Sequence, residues 1–219
     1  CAKWAASIAK LSGERLRVET LKLLAAPDPA PVVDLLATTG VLAHLLPGAT
    51  ASPRLAALVN TNAAGSADPV LRLEALIGDA DVSAIAERFR FSNEDAARLT
   101  SLAHPTVVVV SGDDEILRRA NLYRVGGEQY RDLVLLAWAD AGGAGAPESA
   151  SFEAMLAAAD AWQPISLPVR GADVLALGVA AGPRVGELLE AVEEWWIKAD
   201  FRPDRENALE KLTALVADD

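Results

Sequence analysis

Gly182-Pro183-Arg184-Val185-Gly186-Glu187-Leu188-Leu189, running on to Trp195-Trp196-Ile197-Lys198-Ala199-Asp200-Phe201, reads as one long helix over about 183–199. Gly-Pro makes the turn, and proline suits a first helical position because its missing N–H would have no partner there. Trp195 and Trp196 are neighbours, so on a helix they point about 100° apart and cannot share one core centre. One is expected to pack inward and the other to cover a seam. Stacking on unpaired bases is the alternative, but Glu193, Glu194 and Asp200 flank the pair and repel phosphate, which favours packing.

The helical period extends outward from this stretch over almost the whole chain. Ser12 suits an N-cap for a helix carrying Leu16, Leu21 and Leu24, which Pro27-Asp28-Pro29 stops. A helix from about Ala30 ends at Gly40, Ser52-Pro53 opens another, and Asp68-Pro69 and Ser92 start two more. Asn60 to Ala67 reads as a flexible loop. Asp113-Asp114-Glu115 is helix-start charge rather than a metal site, and Gly126-Gly127 separates the helix of Ile116, Leu117 and Leu122 from that of Tyr130, Leu133 and Leu136. Val107 to Val110 is the one strand-like run. With no second strand to pair with, it is read as an extended connector or a helix entry rather than part of a sheet. Ala141 to Ala150, rich in Gly and Ala, reads as the linker between two parts of the chain. Beyond it, helices are expected at roughly 151–162, 171–178, 183–199 and 203–217. The fold class is all-α.

The 219 residues are 52% hydrophobic but only 5% aromatic, the profile of an Ala/Leu-rich helical protein. Cys1 is the single cysteine and cannot form an internal disulfide, and His44 and His104 have no neighbouring ligand types, so no metal site is expected. No catalytic Ser/His/Asp or Cys/His arrangement is legible. There is no long apolar run and no signal-type segment, so no membrane partner and a cytoplasmic location are expected.

A net charge of −11 opposes nucleic-acid binding in bulk, but the charges are unevenly spread. Residues 1–24 hold Lys3, Lys10, Arg15, Arg17 and Lys22 against only Glu14 and Glu19. Residues 116–131 hold Arg118, Arg119, Arg124 and Arg131 against Glu128. Such a chain could present one basic face on an acidic body. Arg184, beside the N-terminus of the long helix, adds a further candidate phosphate contact. The bland reading of that segment is a simple turn with Gly186 allowing close packing, and local sequence favours it. Val174-Leu175-Ala176-Leu177-Gly178, the turn and Leu188-Leu189 also resemble, weakly, a helix-hairpin-helix.

Leu11-Ser12-Gly13-Glu14-Arg15-Leu16-Arg17-Val18-Glu19-Thr20-Leu21-Lys22-Leu23-Leu24, with Gly40-Val41-Leu42 and Leu45-Leu46-Pro47 after it, resembles the neck motif of the bacterial tRNA nucleotidyltransferase and poly(A) polymerase family. Pro164 to Asp173 and the 182–201 stretch resemble that family's C-terminal part. The middle matches through Asn121-Leu122-Tyr123-Arg124 and Trp138-Ala139.

The resemblance implies an elongated neck and body followed by a smaller helical tail. We assign residues 1–48 to a neck-like segment, 49–145 to the body and 146–219 to the tail. It also implies a parent enzyme that adds CMP and AMP to RNA 3′ ends, with body and tail holding the acceptor and T arms of tRNA. The family's N-terminal head carries the nucleotide loop and paired aspartates that use Mg²⁺ with ATP or CTP. None of these motifs occurs here, and the chain opens with Cys1, so this portion is expected to lack its catalytic head, to hold no cofactor and to be inactive alone. Arg15 and Glu19, four apart on the neck helix, are placed to pair. The expected RNA contacts are Arg15, Arg17, Lys22, Arg118, Arg119, Arg124, Arg131 and Arg184. The alternatives are the matching region of a poly(A) polymerase, or a helical scaffold that binds protein and no RNA.

Overall fold

The computed structural model describes residues 5, 7, 8, 10–49, 53–78 and 80–217. Lys3 of the basic N-terminal stretch and Ser52 of the expected helix start lie outside them. Among the described residues there are twelve α-helices and no strand, so the protein is all-α. Two compact units divide the chain, Cys1–Asp113 with Val125–Trp162, and Asp114–Arg124 with Gln163–Asp219.

The first unit is built around a buried helix. Its helices are α1 (Gly13–Leu24), α2 (Ala30–Thr38), α3 (Val41–Leu45), α4 (Pro53–Asn60), α5 (Pro69–Ile77), α6 (Val82–Arg88) and α7 (Asn93–Ala103). They are followed by the C-terminal half of α8 (Glu115–Asp140) and by α9 (Ser149–Ala161). Asp68 caps α5 by accepting from the Val70 and Leu71 N–H groups, with Pro69 in the first turn. Every residue from Val70 to Ile77 is buried, because α1, α4 and α7 all pack against α5.

That places two charges inside the core, and each is satisfied. Arg72 donates to the carbonyls of Ser66 (2.7 Å), Leu24 (2.7 Å) and Ala26 (2.6 Å). Glu74 receives both carboxylate bonds from Arg54, each at 2.9 Å. Burial lowers the Arg72 pKa and raises that of Glu74, with Arg54 opposing the latter shift.

Two expectations change here. The loop 60–67 is pinned, since Ser66 is buried and its carbonyl holds Arg72. The Ala141–Ala150 segment is likewise no flexible linker. It folds into a 3₁₀ turn at Gly143–Gly145 with Gly143 and Ala146 buried. Gly143 has φ +70°, and a Cβ there would lie 2.3 Å from the Ala57 carbonyl oxygen, so the glycines serve close backbone approach. Trp138 then stacks on Phe152 at 6.0 Å, which joins α9 to the first unit. In this part of the chain the compact units change over at Trp162/Gln163, after α9. Within α8, Gly126 has φ 78° and ψ 164°, a region open only to glycine, and it breaks the helix as the Gly-Gly pair suggested.

The second unit holds residues 115–124 of α8, α10 (Gly171–Ala176), α11 (Pro183–Lys198) and α12 (Arg205–Ala217). Val169, Val174, Leu188, Val192, Ala208 and Leu212 form its core. Asp173 accepts from the Arg170 N–H at 2.8 Å and from Arg205 at 2.6 Å, which joins the start of α10 to that of α12. These bonds, the Arg205 bond first, hold the Asp173 carboxyl below the usual range.

The end of α11 explains why the sequence reads Trp-Ile-Lys-Ala-Asp-Phe. Asp200 and Phe201 have φ of 58° and 59°, and their N–H groups bond to the Ile197 and Trp196 carbonyls respectively. This is a Schellman ending, whose hydrophobic contact is Phe201 edge-on to Trp196 at 5.0 Å. Aspartate stands where glycine is usual, and its carboxylate pairs with Arg119 at 3.1 Å. Tyr123 completes the aromatic cluster and donates to Glu193 at 2.5 Å; burial first, then that carboxylate, raises its pKa well above the ordinary tyrosine value. Trp196 is buried here, and Trp195 packs half-buried against the valine and leucine core. Both serve packing.

Candidate nucleic-acid interface

Helix α1 begins at Ser12, whose hydroxyl oxygen accepts from the Arg15 N–H at 3.4 Å. Gly13 follows because the α6 terminus crosses directly beneath it. A Cβ at position 13 would stand 2.2 Å from the Arg88 carbonyl oxygen. Leu16, Thr20 and Leu24 form the buried stripe. The other end of α1 is held by Arg72 through the Leu24 and Ala26 carbonyls.

With this stripe fixed at 100° per residue, the cations of α1 cannot share a face. Arg15, Glu19 and Lys22 fall on one flank. There Arg15 and Glu19 line an open apolar groove of about 290 Å³ with Leu11, Leu23, Leu36 and Leu45. Arg17 falls about 200° from Arg15, on the flank that meets α6. Arg15 and Glu19 form no ion pair among the described residues, contrary to their spacing. Arg15 and Lys22 are exposed, and neither has an ion-pair partner among the described residues.

The Arg17 flank gains a residue that sequence reading missed. Arg17 donates to the Arg90 carbonyl, and the Arg90 guanidinium approaches Glu14 at 3.4 Å. Arg88 donates to the His44 carbonyl at 2.7 Å. Arg88 and Arg90 lie about 65 residues beyond the end of α1, so no local charge count could have joined them to it. The available signal was Arg-Phe-Arg-Phe immediately before the Ser92 cap, a helix end with cations next to it.

The remaining nominated arginines are more engaged. In the first unit, Arg131 pairs with Asp160 and donates to the Ala64 carbonyl at 3.3 Å. In the second, Arg119 bridges Glu115 at 3.0 Å and the buried Asp200 at 3.1 Å, Arg124 pairs with Glu194 at 3.2 Å, and Arg184 pairs with Glu187 at 3.0 Å. Arg118 is half-buried and has no ion-pair partner among the described residues. At the start of α11 no side chain caps the helix, and Gly182 and Gly186 both face open space. Gly186 therefore does not serve close packing. Exposed surface pairs of this kind are worth about 0–1 kcal/mol and can exchange partners, whereas the Arg119–Asp200 pair is part of the α11 terminus.

Residues 1–52 match a family model described as the probable RNA and SrmB-binding site of polymerase A. Along 94% of its length the chain is 24% identical, over 210 residues, to the mitochondrial CCA tRNA nucleotidyltransferase 1 of Mus musculus. The chain spans 46% of that relative. The first match covers the neck motif and the second extends through the tail stretch, so both stretches that carry the resemblance to the CCA-adding nucleotidyltransferase and poly(A) polymerase family fall within a match.

Proposed function

We propose that this chain is the RNA-holding portion of a nucleotidyltransferase that extends RNA 3′ ends with CMP and AMP, and that it grips the acceptor and T arms of tRNA. The observation that carries the reading is the match of residues 1–52 to an RNA-binding family model, in the segment where Arg15 and Lys22 stand exposed on a helix clamped at both ends. Cations on a fixed helix contact phosphate without reading bases, and an RNA duplex is recognised by shape and backbone in this way. Arg118 and, on exchanging its Glu187 partner, Arg184 offer further contacts on the second unit.

On this reading the transferase chemistry, with Mg²⁺ and ATP or CTP, belongs to a head domain of the family type, and this chain alone is inactive. Among the described residues no group of three or more His, Cys, Asp or Glu side chains could hold a metal ion, so these residues do not fit that metal.

The test is binding of the chain to a tRNA acceptor/T-arm minihelix at several salt concentrations. Affinity should fall steeply with salt, and charge-reversal of Arg15 and Lys22 should flatten that dependence. No binding by folded protein would refute the reading and favour a protein-binding scaffold, which the net charge of −11 and the engaged arginines would then suit. Incorporation assays on the full-length gene product, with CTP and ATP separately and together, distinguish CCA addition from adenosine addition and poly(A) synthesis.

A further inference from the structure

Helix α6 ends in the same way as α11, but with a different residue at the strained position. The Arg90 N–H bonds to the Glu87 carbonyl at 3.0 Å, and the Phe91 N–H to the Ala86 carbonyl at 3.0 Å. This is a Schellman ending with Arg90 at the left-handed position, φ 49°. Glycine is the residue that this position favours, and a side chain there costs stability. At α11 the cost has a local explanation, because the Asp200 carboxylate is buried and paired. At α6 it has none. The Arg90 side chain is 71% exposed, and its one ion pair, to a Glu14 that is itself 53% exposed, is long at 3.4 Å. Such a pair contributes little to folding. The backbone carbonyl of Arg90 is what Arg17 holds, and glycine would supply that carbonyl equally well.

Folding therefore does not account for arginine at position 90, and a strained backbone that carries an exposed functional side chain is a recurrent feature of binding sites. The anchoring is one-sided. The Arg90 main chain is fixed by the Schellman bonds and by Arg17, and its Cγ would stand 3.1 Å from a Cβ at Gly13, so the stem lies over the start of α1 while the guanidinium reaches solvent. Arg17 adds a second positive charge behind it. We infer that Arg90, seated on Arg17 at the junction of α1 and α6, is a phosphate-binding point for the RNA backbone, and that Glu14 occupies it when RNA is absent. This rests on the RNA-holding role proposed above and extends the contact surface beyond residues 1–52.

The test is Arg90→Gly in the whole chain, with the acceptor/T-arm minihelix as probe and salt titrated. Glycine suits the backbone, so the melting temperature should hold or rise. One lost phosphate contact lowers the slope of log K against log salt by about 0.7–0.9, which at 0.1 M salt is about a five- to eight-fold weaker Kd. Arg90→Lys should restore most of the slope, and Glu14→Gln, which removes the competing carboxylate, should tighten binding. A purely structural role predicts the reverse pattern, a lower melting temperature with an unchanged slope. Wild-type binding that Arg90→Gly leaves unaltered in Kd and slope overturns this inference alone. Failure of the wild-type chain to bind the minihelix overturns the RNA-holding role and this inference with it.

Discussion

Arg72→Met tests whether the core of the first unit depends on a buried charge. Arg72 is 3% exposed, and its guanidinium bonds to three main-chain carbonyls, two at the end of α1 and one in the 60–67 loop. Methionine fills most of the space but leaves those acceptors without donors. A buried polar group stripped of its partner costs about 1–3 kcal/mol, so three give about 6 kcal/mol at mid-range. Two terms reduce this. Removing a buried charge recovers part of its desolvation cost, which the lowered Arg72 pKa reports, and the Ala26 carbonyl is partly accessible to water. We expect a net loss of about 3 kcal/mol, comparable to breaking other buried charge networks. At about 2–4 °C per kcal/mol for a chain of this size, the melting temperature should fall by about 6–12 °C.

Urea unfolding followed by circular dichroism measures the loss, and hydrogen exchange locates it. The amides of α1 and of residues 60–67 should lose protection before those of α7. Arg72→Lys should recover only part of the stability, because one ammonium cannot span three carbonyls set out for a guanidinium fork. A loss below about 1 kcal/mol for Arg72→Met would refute the reasoning, since it would mean that the three carbonyls find other donors at almost no cost.

Arg54→Met removes the partner of buried Glu74 and should cost about 3–5 kcal/mol at neutral pH. Burial already raises the folded-state pKa of Glu74, so its ionised form weakens the fold as pH rises through that pKa; the variant should recover stability on going from pH 8 to pH 5, as pH-dependent urea melts can check. Gly13→Ala drives a methyl into the Arg88 carbonyl at 2.2 Å and should cost at least about 2 kcal/mol in thermal or urea melts, although alanine is the better helix former. Asp173→Asn removes a carboxyl with a depressed pKa. The stability from that carboxyl is present above its unfolded pKa and is lost as pH falls through the lower folded one, so the acid transition of the second unit, followed by near-ultraviolet circular dichroism, should flatten in the variant.

Helix type, several caps and the kink in α8 were legible because each rests on a local rule: Ser12, Asp68 and Ser92 as N-caps, Gly40 as a stop, Gly126-Gly127 as a break. The 141–150 segment misled because glycine has two uses. A run of glycines gives flexibility when nothing is near, and close approach when something is, and only the Ala57 carbonyl decides between them. The Asp200-Phe201 ending carries part of the family resemblance, yet its cause is physical. Two residues in the left-handed region are secured by one aromatic contact and one arginine.

The candidate interface was less legible, and charge counting is the reason. Counting treats Arg15 and Arg17 as one cluster because they are two apart, whereas the helix sets them on opposite flanks. It also weighs Arg119 and Arg131 as available, although the fold commits each to a carboxylate. Arg90 was missed because it is distant in sequence and its neighbours spell a helix ending. A net charge of −11 does not exclude a phosphate-binding surface on such a chain, since at physiological salt exposed charges act over about 8 Å. The deciding question is whether a cation is held in place by something other than its own ion pair. Arg90 meets that condition: its main chain is fixed by α6 and Arg17, its side chain is only loosely matched to Glu14, and glycine would fold better in its place.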